Sequence, residues 1–254
     1  MSNLIRGEFY KLRKSKYFIG IILLTLWFGF YLINCFDADV EDLIKTHSET
    51  VNGIYSIKYA FETIVGSSFI FSLFAGEFIA KDLKHNMSKS FIYGYKRSKV
   101  ILSKLIVFII SFLFLVLIYT TILCIYASIN YGFCETLNYS TILYLIRVVA
   151  IGIMYSVAII SIVTMIAIIT KNNLCTIVSP ILFILSFIVS SFAVKLNSHI
   201  SAIVAYVCPV IIGGAATARF APKSDIIIAI ISSIVTFIIT IGGSLSYVKH
   251  EDIK

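Results

Sequence analysis

Residues 100–129 read VILSKLIVFIISFLFLVLIYTTILCIYASI, and this run decides the fold class. About 20 apolar residues carry a helix across the ~30 Å hydrocarbon layer of a bilayer, and this stretch exceeds that. The rest of the 254-residue chain has the same character: 59% of its residues are hydrophobic and 13% charged, with a mean hydropathy of +0.97. Soluble domains carry about 25% charged residues. A membrane β-barrel would show ~10-residue segments of alternating hydrophobicity. Here the apolar residues come in long runs of Ile, Leu, Phe and Val, with three prolines in the whole chain. The sequence predicts an all-α polytopic membrane protein, one transmembrane domain over 1–254.

Working outward from 100–129, further spans are expected at Tyr17–Phe36, Tyr59–Ile79, Ile142–Ile169, Leu174–Val194 and Asp225–Tyr247, six in all. Residues 1–16 put Leu4, Ile5, Phe9 and Leu12 at broadly helical spacing beside Arg6, Lys11, Arg13, Lys14 and Lys16, which predicts an interfacial helix on the membrane surface. No small-residue cleavage site follows the first apolar run, so it reads as an uncleaved span rather than a signal peptide. With the N-terminus inside, the inner segments hold fifteen Lys and Arg and the outer ones six. Positive charge concentrates on the cytosolic side, so both termini are expected there.

The segment 195–224 is harder to place. Its part 203–220, IVAYVCPVIIGGAATARF, is nearly apolar enough to span, but Pro209 and the pair Gly213–Gly214 are expected to interrupt it. Broken backbone at membrane depth is tolerated where protein covers it. A re-entrant element dipping in from outside is preferred to a seventh crossing. Gly213–Gly214 reads as a turn or a close helix approach more readily than as a substrate passage.

Several function classes drop out. The net charge of +8 comes with no nucleic-acid-binding module, and loop cations that set topology account for it. Five cysteines, Cys35, Cys124, Cys134, Cys175 and Cys208, form no CxxC pair and have no metal-like spacing to the scattered histidines. A Cys35–Cys134 bridge is left open by the sequence. No GxxxxGK[ST] loop, HExxH helix or GxSxG elbow occurs, so the chain reads as a non-enzyme with no metal of its own. The expected spans place no run of ionisable residues near the bilayer centre, as coupled carriers need. Arg147 reads as an interface anchor.

Immediately before the deciding run lies GEFIAKDLKHNMSKSFIYGYKRSKVILSKL, residues 76–105, with seven of the chain's 21 Lys and Arg. A purely topogenic loop needs only a short basic turn. This one interleaves Leu83, Met87, Phe91 and Ile92 with charges, a one-sided apolar stripe on a helix that something must cover. Glu77 and Lys81 lie one helical turn apart and are placed to pair at the junction of span and loop.

The pattern of GEF closing one span, a polar amphipathic segment, and GYKRSKVILSKL opening the next resembles the permease subunits of type-2 ABC exporters, in the short six-span form found in bacitracin and lantibiotic immunity. The start LIRGEFYKLRKSKYF is similar to that family's N-terminal connecting helix, and 203–220 to its re-entrant element with Pro209, Gly213 and Gly214. Glu77 and the Tyr95–Lys96–Arg97 block match the family's loop pattern, while Asn86–Met87–Ser88 departs from its usual Thr-Leu-Lys. The resemblance implies that the loop 80–99 carries a coupling helix over Lys84–Phe91 seated in a separate ATPase. Leu83, Lys84, Met87, Ser88 and Phe91 would make the contact, with Glu77, Lys81, Lys96 and Arg97 at the junction of loop and spans. It further implies two ATPase copies that bind ATP and magnesium, a second permease subunit, identical or similar, and a bacterial plasma membrane location in contact with lipid. The cargo would be an amphipathic peptide antibiotic or lipid-like molecule, moved for self-protection or resistance. The alternative is a non-transporting membrane sensor or assembly partner of an ATPase.

Overall fold

A computed structural model describes residues 1–46, 51–85, 97–134, 138–195 and 209–251. The described residues are helical: α1 Ser2–Lys14, α2 Lys16–Thr46, α3 Gly53–Glu62, α4 Ile64–Ala75, a π-helical segment Gly76–Lys81, α5 Asp82–His85, α6 Arg97–Tyr131, α7 Tyr139–Thr170, α8 Asn173–Val178, α9 Ile181–Lys195, α10 Pro209–Thr217 and α11 Lys223–Glu251. Among the described residues, five helical stretches are long and apolar enough to cross a membrane: Lys16–Glu41, Ile64–Lys84, Arg97–Tyr131, Tyr139–Thr170 and Lys223–His250. The chain is thus an all-α polytopic membrane protein.

The sixth expected crossing, Leu174–Val194, is divided. Proline has no N–H to donate and its ring clashes with the preceding turn. Pro180 accordingly separates α8 from α9, with Leu182 N–H donating to Ser179 and Phe183 N–H to Pro180 across the joint. Neither piece alone reaches spanning length. The second span is also longer and less regular than the expected Tyr59–Ile79. Asn52 starts α3 by accepting from Tyr55 N–H at 2.9 Å. Thr63 then leaves helical geometry, with ψ 7°, and separates α3 from α4. Lys58, counted from the sequence among the outer loop cations, is a buried residue of α3.

Lipid tails are as apolar as leucine, so packing contacts rather than a hydrophobic driving force hold such helices together. Between α4 and α6 those contacts are aromatic: Phe71 meets Phe112 edge to face at 4.7 Å, and Phe74 stacks on Phe108 at 4.8 Å. Buried serines return their hydroxyls to their own helix, as Ser67 Oγ does to Ile64 and Ser111 Oγ to Val107. α2 and α3 both pack on α6, α11 lies along α7, and α10 rests on α7 and α11.

The glycine pair, expected to interrupt the segment, lies inside a helix. Pro209 opens α10, the position at which its missing N–H costs nothing. Gly213 and Gly214 lie inside that helix. A Cβ at Gly213 would sit 2.7 Å from the Tyr155 ring, so glycine there permits a close approach to α7 rather than a turn. α10 has nine residues, about 14 Å at 1.5 Å per residue, too short to cross. Residues 196–208 of the expected re-entrant segment lie outside the described residues.

Candidate functional site

At the end of the bundle that carries the N-terminus, α1, the π-helical segment, α5 and the first turns of α6 converge on a cavity of about 340 Å³. Its organising residue is Lys104. Four residues into an apolar run, the Lys104 ammonium is buried, and a buried charge requires partners. It donates to Glu8 Oε2 of α1 at 2.8 Å, forms an ion pair with Asp82 of α5, and lies 5.2 Å from the centre of the Phe78 ring. Glu8 also accepts from Lys11 at 3.0 Å. One cation therefore fastens the N-terminal helix and the start of the loop helix to α6. The Tyr17 hydroxyl donates to the Leu73 carbonyl at 3.4 Å and closes the side where α2 begins.

Local sequence explains the convergence. In α1 the buried residues are Glu8 and Leu12, one turn apart on the face toward α6. The basic residues Lys11, Arg13 and Lys14 occupy the last turn, where they complement the helix dipole. The π-helical turn begins at Gly76, whose missing side chain leaves space filled by the Asn173 side chain of α8. π turns inside α-helices recur at functional sites, and this one joins α4 to the clamp.

The residues singled out from sequence are placed unevenly. Glu77 and Lys81 pair at 2.5 Å across the π turn. Lys84 is exposed, and Arg97 opens α6 half-buried. Leu83, read as part of a partner-facing stripe, is only 4% exposed and belongs to the chain's own core; the apolar face of α5 turns inward beside the buried Lys104–Asp82 pair. Met87, Ser88, Phe91 and Lys96 lie outside the described residues. Pro209, Gly213 and Gly214 are in α10 and are not part of this junction. There, Arg147 acts as a clasp rather than a surface anchor. Its Nη2 donates to the carbonyls of Ala218 at 2.6 Å and Arg219 at 3.0 Å, and the Tyr144 hydroxyl donates to Thr217 O at 3.3 Å, so that the carbonyl end of α10 is satisfied from α7.

Sequence reasoning missed Glu8, Asp82 and Lys104 as a unit. The available signal was a lone lysine in an apolar run and a glutamate on the apolar side of an amphipathic helix. Cys35, Cys124, Cys134 and Cys175 carry free thiols, and no cluster of three or more His, Cys, Asp or Glu suited to a metal occurs among the described residues. The arrangement joins α1, α5 and α6 through one buried cation.

Residues 4–190, from α1 into α9 and including the whole clamp, match the model of the ABC-2 family transporter proteins. No curated protein and no solved structure matches the chain. The match covers well over half of the sequence, and the chain belongs to the ABC-2 transporter family as a membrane-embedded permease domain.

Proposed function

We propose that this chain is the transmembrane subunit of an exporter driven by ATP hydrolysis in a separate nucleotide-binding protein. It works in a bacterial plasma membrane with both termini in the cytosol, α8 and α9 together supplying the sixth crossing. Two ATPase copies, which hold the ATP and magnesium, and a second permease, identical or similar, complete the assembly. The cargo is an amphipathic peptide antibiotic or lipid-like molecule, and the purpose is self-protection. The observation that carries this reading is the Lys104 clamp. A loop serving only topology needs no rigid root, yet here its first turn is tied by a buried ion pair to α6 and, through Glu8, to α1. Such a root suits a loop that transmits force from a partner.

Within that loop, Leu83 is the inner anchor and Met87 and Phe91 are the partner-facing side chains. Lys84, Lys89, Lys96 and Arg97 orient the loop against partner acids and lipid phosphates. Burying a large apolar side chain is worth ~1.5–3 kcal/mol, whereas an exposed ion pair gives ~0–1 kcal/mol. Met87→Asp and Phe91→Ala are therefore expected to abolish ATP-dependent transport and loosen the ATPase while the permease still inserts, and Lys89→Ala to be mild. The test is ATP hydrolysis and transport by the co-reconstituted complex. Full coupling in both apolar variants would leave the loop a topogenic turn, and absence of transport by the wild-type complex would favour the sensor reading.

A further inference from the structure

The clamp accounts for the charges around the cavity but not for the open space between them. At about 340 Å³ that space falls within the ~300–1,000 Å³ range of small-molecule sites. Its depth is set by three spans that meet there. The first begins at Lys16, the second ends at Lys84 and the third begins at Arg97. Tyr17 and Phe18 line the cavity from the first and Lys81 and Asp82 from the second, while Lys104 stands about 10 Å into the third at 1.5 Å per residue. The cavity therefore lies where a headgroup layer meets hydrocarbon.

The lining has two characters. Leu12, Phe18, Phe74 and Phe78 form an apolar wall, and three carboxylates and three ammonium groups make up the charged part. The carboxylates are matched within the chain: Glu8 accepts from Lys11 and Lys104, Asp82 pairs with Lys104, and Glu77 with Lys81. Lys11 and Lys81 stand at the mouth. Their side chains are 55% and 54% exposed, against 6% and 25% for the glutamates they pair with. An ammonium carries three N–H groups, and the bond to one carboxylate oxygen uses one of them. Cationic donors at the mouth of an apolar-walled cavity suit an amphipathic anion. A cationic ligand would first have to displace a lysine from its acid.

We infer that this cavity holds a membrane phospholipid, its phosphodiester at the mouth beside Lys11 and Lys81 and the start of an acyl chain against Leu12, Phe18, Phe74 and Phe78. The remainder of the lipid stays in the bilayer. The junction of α1 with the π turn then has two ties, Lys104 from the chain itself and a lipid from the membrane. No covalent step is involved.

The test titrates the full-length protein in dodecylmaltoside micelles with dioleoylphosphatidylglycerol, dioleoylglycerol or inorganic phosphate, and counts bound species by native mass spectrometry. An exposed ion pair contributes up to about fivefold in affinity. With two lysines at the mouth, the wild type is expected to hold phosphatidylglycerol about tenfold more tightly than dioleoylglycerol, which has the same acyl chains and no phosphate. Inorganic phosphate at the same concentration should not displace it. Lys11→Gln and Lys81→Gln should each weaken the lipid by about two- to fivefold, and together erase the preference. Lys223→Gln, exposed at the start of α11, should change nothing. In nanodiscs, phosphatidylglycerol carrying a diazirine near the glycerol should crosslink to residues 11–18 and 74–82.

Equal binding of dioleoylglycerol, or an equal loss in Lys223→Gln, would reduce the lipid to a nonspecific annulus and overturn the site. Displacement by inorganic phosphate would overturn the phospholipid in favour of a free anion. Crosslinks absent from both segments would overturn the assignment whatever the variants do. Because no ATPase enters these assays, loss of the lipid site with intact ATPase coupling refutes only this inference. A confirmed lipid site without coupling would refute only the exporter.

Discussion

Replacing Lys104 with Met should release α1 from the bundle without unfolding it. The lysine side chain is 4% exposed, its partner Glu8 6% and Asp82 19%. Removing one member of a buried ion pair leaves an uncompensated buried charge and costs ~3–5 kcal/mol. Here the lower end applies, because Glu8 keeps Lys11 at 3.0 Å and that lysine is 55% exposed. A loss of about 3 kcal/mol corresponds to roughly a hundredfold rise in the open population of the affected element. Hydrogen exchange of the α1 amides in nanodiscs reads that population directly, with the middle of α7 as the internal control. Glu8→Gln combined with Lys104→Met removes both charges at the α1–α6 contact, leaving Asp82 on α5, and should recover much of the α1 protection, since paired removal is far cheaper than removal of one partner. An α1 exchange rate that changes less than about threefold in Lys104→Met, or a double variant no better than the single one, would refute the clamp.

Two further outcomes follow from the packing and the charge distribution. Gly213→Val forces side-chain atoms onto the Tyr155 ring, 2.7 Å from even an ideal Cβ, and should destabilise the protein by ~1–3 kcal/mol; Gly214→Ala, with open space around it, should not. Thermal unfolding in detergent measures both. Single cysteines placed beside His250 and in α1, in a background without the native cysteines, should be labelled only from the cytosolic side, and labelling of the His250 site from outside would exclude an even number of crossings.

Long apolar runs made the membrane class and five of the six expected spans readable, because 1.5 Å per residue against a fixed hydrocarbon thickness leaves little freedom. The misreadings share a cause. Pro180 divides an apolar run that hydropathy reads as continuous, and Gly213–Gly214, expected to interrupt its segment, lies inside α10, where Gly213 makes the close helix approach that was the other reading of the pair. What a proline does depends on whether it falls at a helix start, and what a glycine does depends on what faces it. Pro209 falls at the start of α10, and Gly213 faces Tyr155. Neither relation is local. The same holds for the charges. Glu77 and Lys81 were legible because they are neighbours on one helix. Glu8 and Lys104 are 96 residues apart in sequence, and no periodicity in one chain connects them. Lys58 looked like a loop cation because α3 begins at Gly53, earlier than hydropathy alone suggests.

The placement of the Thr63 break and the clamp on one stretch of chain gives the fold a mechanical logic. Glu62 ends α3, α4 begins two residues later at Ile64, and the π-helical turn and α5 continue without interruption to Asp82 in the clamp. Along this stretch regular α-helix is lost at two places, the Thr63 break and the Gly76–Lys81 turn. α4 between them is held rigidly against α6 by the Phe71–Phe112 and Phe74–Phe108 contacts. Close-packed interiors resist continuous deformation, so displacement applied at α5 is taken up at the joints rather than within α4. On the proposed function, a partner pulling on the loop would act first at the π turn, where Glu77 and Lys81 brace the helix from outside. It would act next at Thr63, where α3 gives way to α4. A segment that merely crossed the membrane would need neither joint.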